Sequence, residues 1–158
     1  MRIIDIYTDG SHLDKQHNGR LGCGGIMVER DQSGKTFGSV LGQFGKELTP
    51  EYMRQEYGSD QCSNPTAEMV GLLCALEEFN IPKDAKVIIH ADYTGVKEWM
   101  EGNWRVKEPY LKKVKEKIDK IIKERGLVLS YEWVKAHQAG LDQHSYWNNQ
   151  VDVLAKGM

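Results

Sequence analysis

The sequence predicts an α/β domain built on a mixed sheet, and three observations carry that expectation. The first forty-odd residues hold runs of β-branched and aromatic residues separated by turn signals. The remainder alternates helical apolar stripes with short apolar runs, the pattern of helix-crossed strands. The chain has 158 residues, 40% hydrophobic and 28% charged, which suits one well-buried core spanning 1–158.

Arg2 to Asp9 reads as a first strand ending at the turn Asp9-Gly10-Ser11. Gly22 to Arg30 and Lys35 to Phe44 read as two more strands around Asp31-Gln32-Ser33-Gly34. The glycines between Gly19 and Gly25 predict a bulge or a close backbone approach. Gly45 to Ser63 follows neither period and predicts an irregular excursion or a short extra helix. Asn64-Pro65 predicts a helix start, with Asn64 as cap and the stripe Met69, Leu72, Leu73, Leu76 and Phe79 behind it. Lys86 to Asp92 is a fourth strand and Thr94 to Met100 a helix stopped near Gly102. Pro109 to Glu124 is a long amphipathic helix ended by Gly126, Leu127 to Val134 a fifth strand, and Asn148 to Lys156 a closing helix. The result is a five-stranded mixed sheet, three antiparallel strands followed by two helix-crossed parallel ones, flanked by helices.

Composition narrows the function classes. No apolar run approaches the roughly 18 residues of a membrane span. Asp5 and Asp9 interrupt what an export signal would need as an apolar core. Three cysteines (Cys23, Cys62, Cys74) are odd in number and lack metal-ligand spacing, which points to a reducing, cytoplasmic setting. The net charge of −2 by itself predicts no polyanionic partner. Its distribution says more: between Asn103 and Arg125 nine basic residues, Lys112 among them, face four acidic ones, a local excess of +5. That segment is either a solvated helix face or a surface for a polyanion.

Four acids stand where an acid is costly or well placed. Glu68 lies in line with Leu72, Leu76 and Phe79, on the core side of its helix, and is not at the capping-box position. A buried carboxylate without a partner costs several kcal/mol, so a metal ion, a basic partner or an open cleft must accompany it. Asp92 ends an apolar strand, as a helix cap or as a ligand at the carboxyl edge of the sheet. Asp9 ends the first strand, as a turn former or as a site residue. Asp152 lies in the last helix, solvated or functional. If the first and fourth strands are neighbours, all four converge, and converging carboxylates need a cationic counter-charge. All-oxygen ligands suit Mg²⁺ or Mn²⁺ rather than zinc. Two such ions about 4 Å apart would clamp both oxygens of an in-line phosphodiester displacement.

The motifs Tyr7-Thr8-Asp9-Gly10-Ser11, Asn64-Pro65-Thr66-Ala67-Glu68-Met69, Ile88-Ile89-His90-Ala91-Asp92, Trp133-Val134-Lys135-Ala136-His137 and Asn148 to Ala155 occur in this order. In that arrangement the chain resembles type 1 ribonuclease H over nearly its whole length. The resemblance implies the ribonuclease H-like fold and an endonuclease cutting the RNA strand of RNA–DNA hybrids to leave 5′-phosphate ends. It implies that Asp9 bridges two Mg²⁺ ions (Mn²⁺ a substitute), that Asp152 holds the ion that activates water, and that Glu68 and Asp92 hold the other. It assigns proton traffic or product release to His137, with His144 as the alternative in an unusually long loop. It assigns substrate contacts to Gly10, Ser11 and Asn64. Trp104 is a candidate for packing on the DNA sugar, and Lys112 for contacting phosphates. The expected partner is a hybrid duplex bound by a monomer, with no membrane.

The sequence departs from that pattern at Pro65, at Asp92-Tyr93-Thr94, and in the Gly45 to Ser63 stretch. Other nucleases of the same fold, an aspartyl phosphatase using Asp5 and Asp9, and an inactive hybrid-binding module are the rivals. The phosphatase needs acids two apart, and these are four apart.

Overall fold

A computed structural model describes residues 2–12, 20–33, 38–60, 63–133 and 143–157. Its elements are β1 (Arg2–His12), β2 (Leu21–Glu29), β3 (Ser39–Leu48), α1 (Pro50–Tyr57), α2 (Asn64–Glu78), β4 (Ala85–Ala91), α3 (Thr94–Met100), α4 (Pro109–Arg125), β5 (Leu129–Trp133) and α5 (Gln143–Lys156). The sheet order is β3-β2-β1-β4-β5. β1, β2 and β3 pair antiparallel, and β4 runs parallel to both β1 and β5. The expected mixed sheet is therefore present, with β1 and β4 adjacent at its centre.

Alternation along β1 divides the molecule. Ile4 and Ile6 join the larger core with α2, α3 and α4, whereas Tyr7 packs with Ile26, Val28, Trp147 and Val151 under α5. Helix α2 is buried at every residue from Thr66 to Leu76, so it is the central post rather than a surface helix. The four buried residues of α4, Tyr110, Leu111, Val114 and Ile118, all belong to its expected apolar face.

Several boundaries differ from the sequence reading for local reasons. The cap of α2 is Ser63, whose hydroxyl accepts from the Thr66 backbone N–H; Asn64 is the first helical residue and Pro65 follows it. β3 runs on to Leu48, four residues past the expected end, with Gly42, Phe44 and Lys46 alternately less exposed than their neighbours; the expected start at Lys35 lies outside the described residues. The excursion after it resolves into α1, capped by the Thr49 hydroxyl and closed by Gly58 at φ 84°. Helix α5 starts at Gln143, five residues before the expected Asn148.

Candidate active site

Two glycine contacts bring the acids together. A Cβ on Gly10 would stand 1.9 Å from the Ala67 carbonyl oxygen, and one on Gly71 would stand 2.6 Å from the Asp9 carbonyl oxygen. Only hydrogen at both positions lets α2 press against the end of β1, which carries Glu68 to Asp9. Gly10, expected as a substrate contact, is also the point of close approach between β1 and α2. On the other face, a Cβ on Gly24 would lie 2.8 Å from the Val151 carbonyl oxygen. Gly24 pairs with Asp9, so its bare backbone lets α5 bring Asp152 close.

The consequence is a cluster of carboxylates. Asp9, Glu68 and Asp92 each place an oxygen within 4.8 Å of the others. Asp9 is 3% and Glu68 9% exposed, and Asp9 Oδ2 and Glu68 Oε2 have no hydrogen-bond partner. Burial pushes the Asp9 carboxyl up to about 7; the charges of Asp92 and Asp152 add to this, and a hydrogen bond with Glu68 offsets part of it. Burial, followed by the charges and hydrogen bonds of Asp9 and Asp92, holds Glu68 well above the usual carboxylate range. Asp152 stands on the flank: it interacts with Asp9, and Lys156 Nζ donates to its Oδ2 at 3.0 Å. The cap of α3 is Tyr93 rather than Asp92.

Orphaned buried oxygens in an anionic cluster are the signature a cation would complete, and an all-carboxylate donor set fits a hard divalent ion. The residues present therefore fit the metal their sequence pattern implied.

A model of the RNase H family matches residues 2–158. The chain belongs to the RNase H family. As a ribonuclease H it is a hydrolase. LC11-RNase H1, isolated from compost by a metagenomic approach, is 25% identical with a TM-score of 0.70, covering 99% of this chain and 95% of that one. A second structure of LC11-RNase H1, in complex with an RNA/DNA hybrid, gives 24% and 0.69, covering 98% and 94%. RNase H1 from the halophilic archaeon Halobacterium salinarum NRC-1 shares the fold at 18% identity and TM-score 0.66, covering 96% and 93%. No curated protein matches the chain in sequence.

The remaining expected site residues scatter around the carboxylates of this ribonuclease H. Asn64 opens α2 one helical turn before Glu68, and Ser11 follows Gly10 near the end of β1. Trp104 is 41% exposed and meets Tyr93 and Trp99 edge-on, with Trp99 packed on the core. Lys112 is exposed on α4, one turn after Glu108, whose carboxylate accepts from Thr66 Oγ1 in the first turn of α2. His137 lies outside the described residues. His144 sits elsewhere: its Nδ1 is 2.6 Å from the Tyr7 hydroxyl, beside His90.

Three contributors escaped the sequence reading. Gly71 had a legible signal, a glycine in the middle of a helix. Lys156 had another, its spacing of four from Asp152. Trp133, half exposed, donates its indole N–H to the Asp92 carbonyl at 3.0 Å, and no local pattern announces that bond.

Proposed function

We propose that this ribonuclease H is an endonuclease that hydrolyses the RNA strand of RNA–DNA hybrids with two Mg²⁺ ions, leaving 5′-phosphate and 3′-hydroxyl ends. The observation that carries the reading is the cluster of Asp9, Glu68 and Asp92, with two buried carboxylate oxygens left unpaired. Asp9, Glu68 and Asp92, with Asp152 interacting with Asp9, are the residues that would hold the ions. Bound there, the ions supply a nucleophilic water at neutral pH and neutralise charge on the attacking and leaving oxygens.

The chain's own part is preorganisation. Asp9 and Glu68 are held buried and, with Asp92, keep their oxygens within 4.8 Å of one another. Asn64, at the start of α2, and Ser11, near the end of β1, are assigned contacts to the cut strand, where a 2′-hydroxyl contact separates RNA from DNA. Trp104 offers an exposed ring for a sugar, and Lys112 a charge for a phosphate. His137 is assigned the exchange of protons with water during product departure. The complex of LC11-RNase H1 with an RNA/DNA hybrid supports the substrate class. Among the described residues no helix is long and apolar enough to cross a membrane, and the reading needs no membrane.

The test is a panel of four end-labelled substrates: RNA–DNA hybrid, RNA duplex, DNA duplex and single-stranded RNA, each with Mg²⁺ and with chelator. Cutting confined to the RNA of the hybrid and lost with chelator is expected. Hybrid binding without cutting would make the chain an inactive module, and cutting of DNA would move it to another branch of the fold.

A further inference from the structure

The pairing of β1 with β4 ends at Tyr7 opposite His90. Asp9 follows two residues on within β1, and Asp92 two residues on, just past the end of β4. Beyond that rung β1 and β4 are not paired with each other, so the rung is the last point at which the two strands that carry these acids are tied directly together.

The side chains at this rung are packed as a stack. The Tyr7 and His90 rings lie 4.6 Å apart and 12° from parallel, and the His144 ring stacks on His90 at 4.5 Å. His144 Nδ1 is also hydrogen-bonded with the Tyr7 hydroxyl at 2.6 Å. Burial and the neighbouring His90 hold His144 below its usual value. His144 thus touches both residues of the rung, and it belongs to the first turn of α5, the helix that carries Asp152.

His90 is itself immobilised from the far side. It is 1% exposed, and its Nε2 donates to Asp5 Oδ1 at 2.6 Å. Asp5 is gripped in turn by both nitrogens of the Arg30 fork, at 2.7 and 2.9 Å. Asp5, His90 and His144 lie close enough to suggest a metal site, but Arg30 already supplies the cation that Asp5 would offer an ion. The group is a mechanical fixture rather than a second metal centre.

We propose that His144 is a positioning residue: it clamps the last rung of the β1–β4 ladder to α5, and so sets the spacing of Asp9, Asp92 and Asp152. This inference rests on the metal-site reading above. Outer-shell residues of this kind change metal affinity or activity by roughly 10- to 100-fold when removed.

The experiment uses the whole chain with Mn²⁺ as probe, its binding followed by electron paramagnetic resonance, together with hybrid cleavage and thermal melting. Wild type is compared with His144→Leu, His144→Asn and Tyr7→Phe. His144→Leu is expected to weaken Mn²⁺ binding about tenfold and lower kcat, leaving KM for the hybrid unchanged. His144→Asn keeps a polar atom where Nδ1 stood and should recover most of that loss. Tyr7→Phe, which removes only the hydroxyl, should weaken Mn²⁺ binding in the same direction and decides the matter if His144→Leu does not fold. Variants that melt earlier yet bind Mn²⁺ and turn over as wild type does would overturn the clamp. Failure of the wild type itself to bind Mn²⁺ or cut the hybrid would instead overturn the function on which it rests.

Discussion

Asp5 and Asp9 occupy the same strand, four residues apart, and are 0% and 3% exposed. Their electrostatic situations are opposite. Burial alone would raise the Asp5 carboxyl, but hydrogen bonds and charge from His90 and Arg30 outweigh it and hold it down to about 2. Asp9 has acids where Asp5 has cations, and it is driven up to about 7. Burial does not separate the two; counter-charge does. The satisfied carboxylate builds structure, and the unsatisfied one waits for a ligand. The comparison also disposes of an aspartyl phosphatase using both residues, since Asp5 is fully engaged by Arg30 and His90.

The sharpest way to break this contrast is to neutralise each acid in turn. Asp9→Asn should reduce metal-dependent cleavage of the hybrid by about a thousandfold or more, the scale of a lost group in the transition state, while the protein still folds. Full activity in the folded variant would remove Asp9 from the site. Asp5→Asn should do the reverse. It leaves Arg30 and His90 without their anion and should lower unfolding free energy by about 3 kcal/mol, measured by urea denaturation. A change below about 0.5 kcal/mol, the scatter of neutral surface sites, would show that the Asp5 network is not structural.

Acidity sharpens the same comparison. Asp9 keeps its proton in the folded state to about 7 against 3.8 for the free side chain. Across that window the folded protein binds more protons than the unfolded one, so metal-free stability falls as pH rises, by up to about 1.4 kcal/mol per pH unit. Asp5 works at the other end: its contribution is present above 3.8 and is lost as pH falls through about 2. Urea melts in chelator between pH 4 and 8 should show this decline, and added Mg²⁺ should flatten it. A metal-free stability that rises steadily to pH 7 would contradict the assignment.

Smaller effects probe what holds the acids together. Gly71→Ala places a methyl group 2.6 Å from the Asp9 carbonyl. It should cost about 1–3 kcal/mol by overpacking and weaken metal binding as well, read by calorimetry with Mn²⁺. Unchanged affinity would mean that α2 carries Glu68 to the site without that close contact. Smallest of all, Lys112→Ala should reduce the slope of log affinity against log salt for the hybrid by about one. An unchanged slope would take Lys112 off the binding face.

Much of this was legible in advance, for identifiable reasons. Glu68 was conspicuous because a charged residue on an apolar stripe breaks the helical pattern, and Asp92 because it ends an apolar strand. The order of strands and helices followed from their periods. The Arg30–Asp5–His90 network was not readable, because its partners are 25 and 85 residues apart and none breaks a local pattern. The cap of α2 was misplaced by one residue because Ser63 and Asn64 are both good caps and only the backbone turn decides between them. Helix α1 was obscured because a short, polar helix in which Met53 and Tyr57 are the buried residues carries too weak a period to stand out.

The most direct test of the central claim is the thermal stability of wild type, Asp9→Asn and Asp5→Asn, each with Mg²⁺ and with chelator. Wild type and Asp5→Asn should both gain stability from the ion. Asp9→Asn should start higher in chelator, relieved of repulsion, and gain nothing. A full Mg²⁺-dependent gain in Asp9→Asn would contradict the account, because the ion would then be bound without the carboxylate at the centre of the cluster.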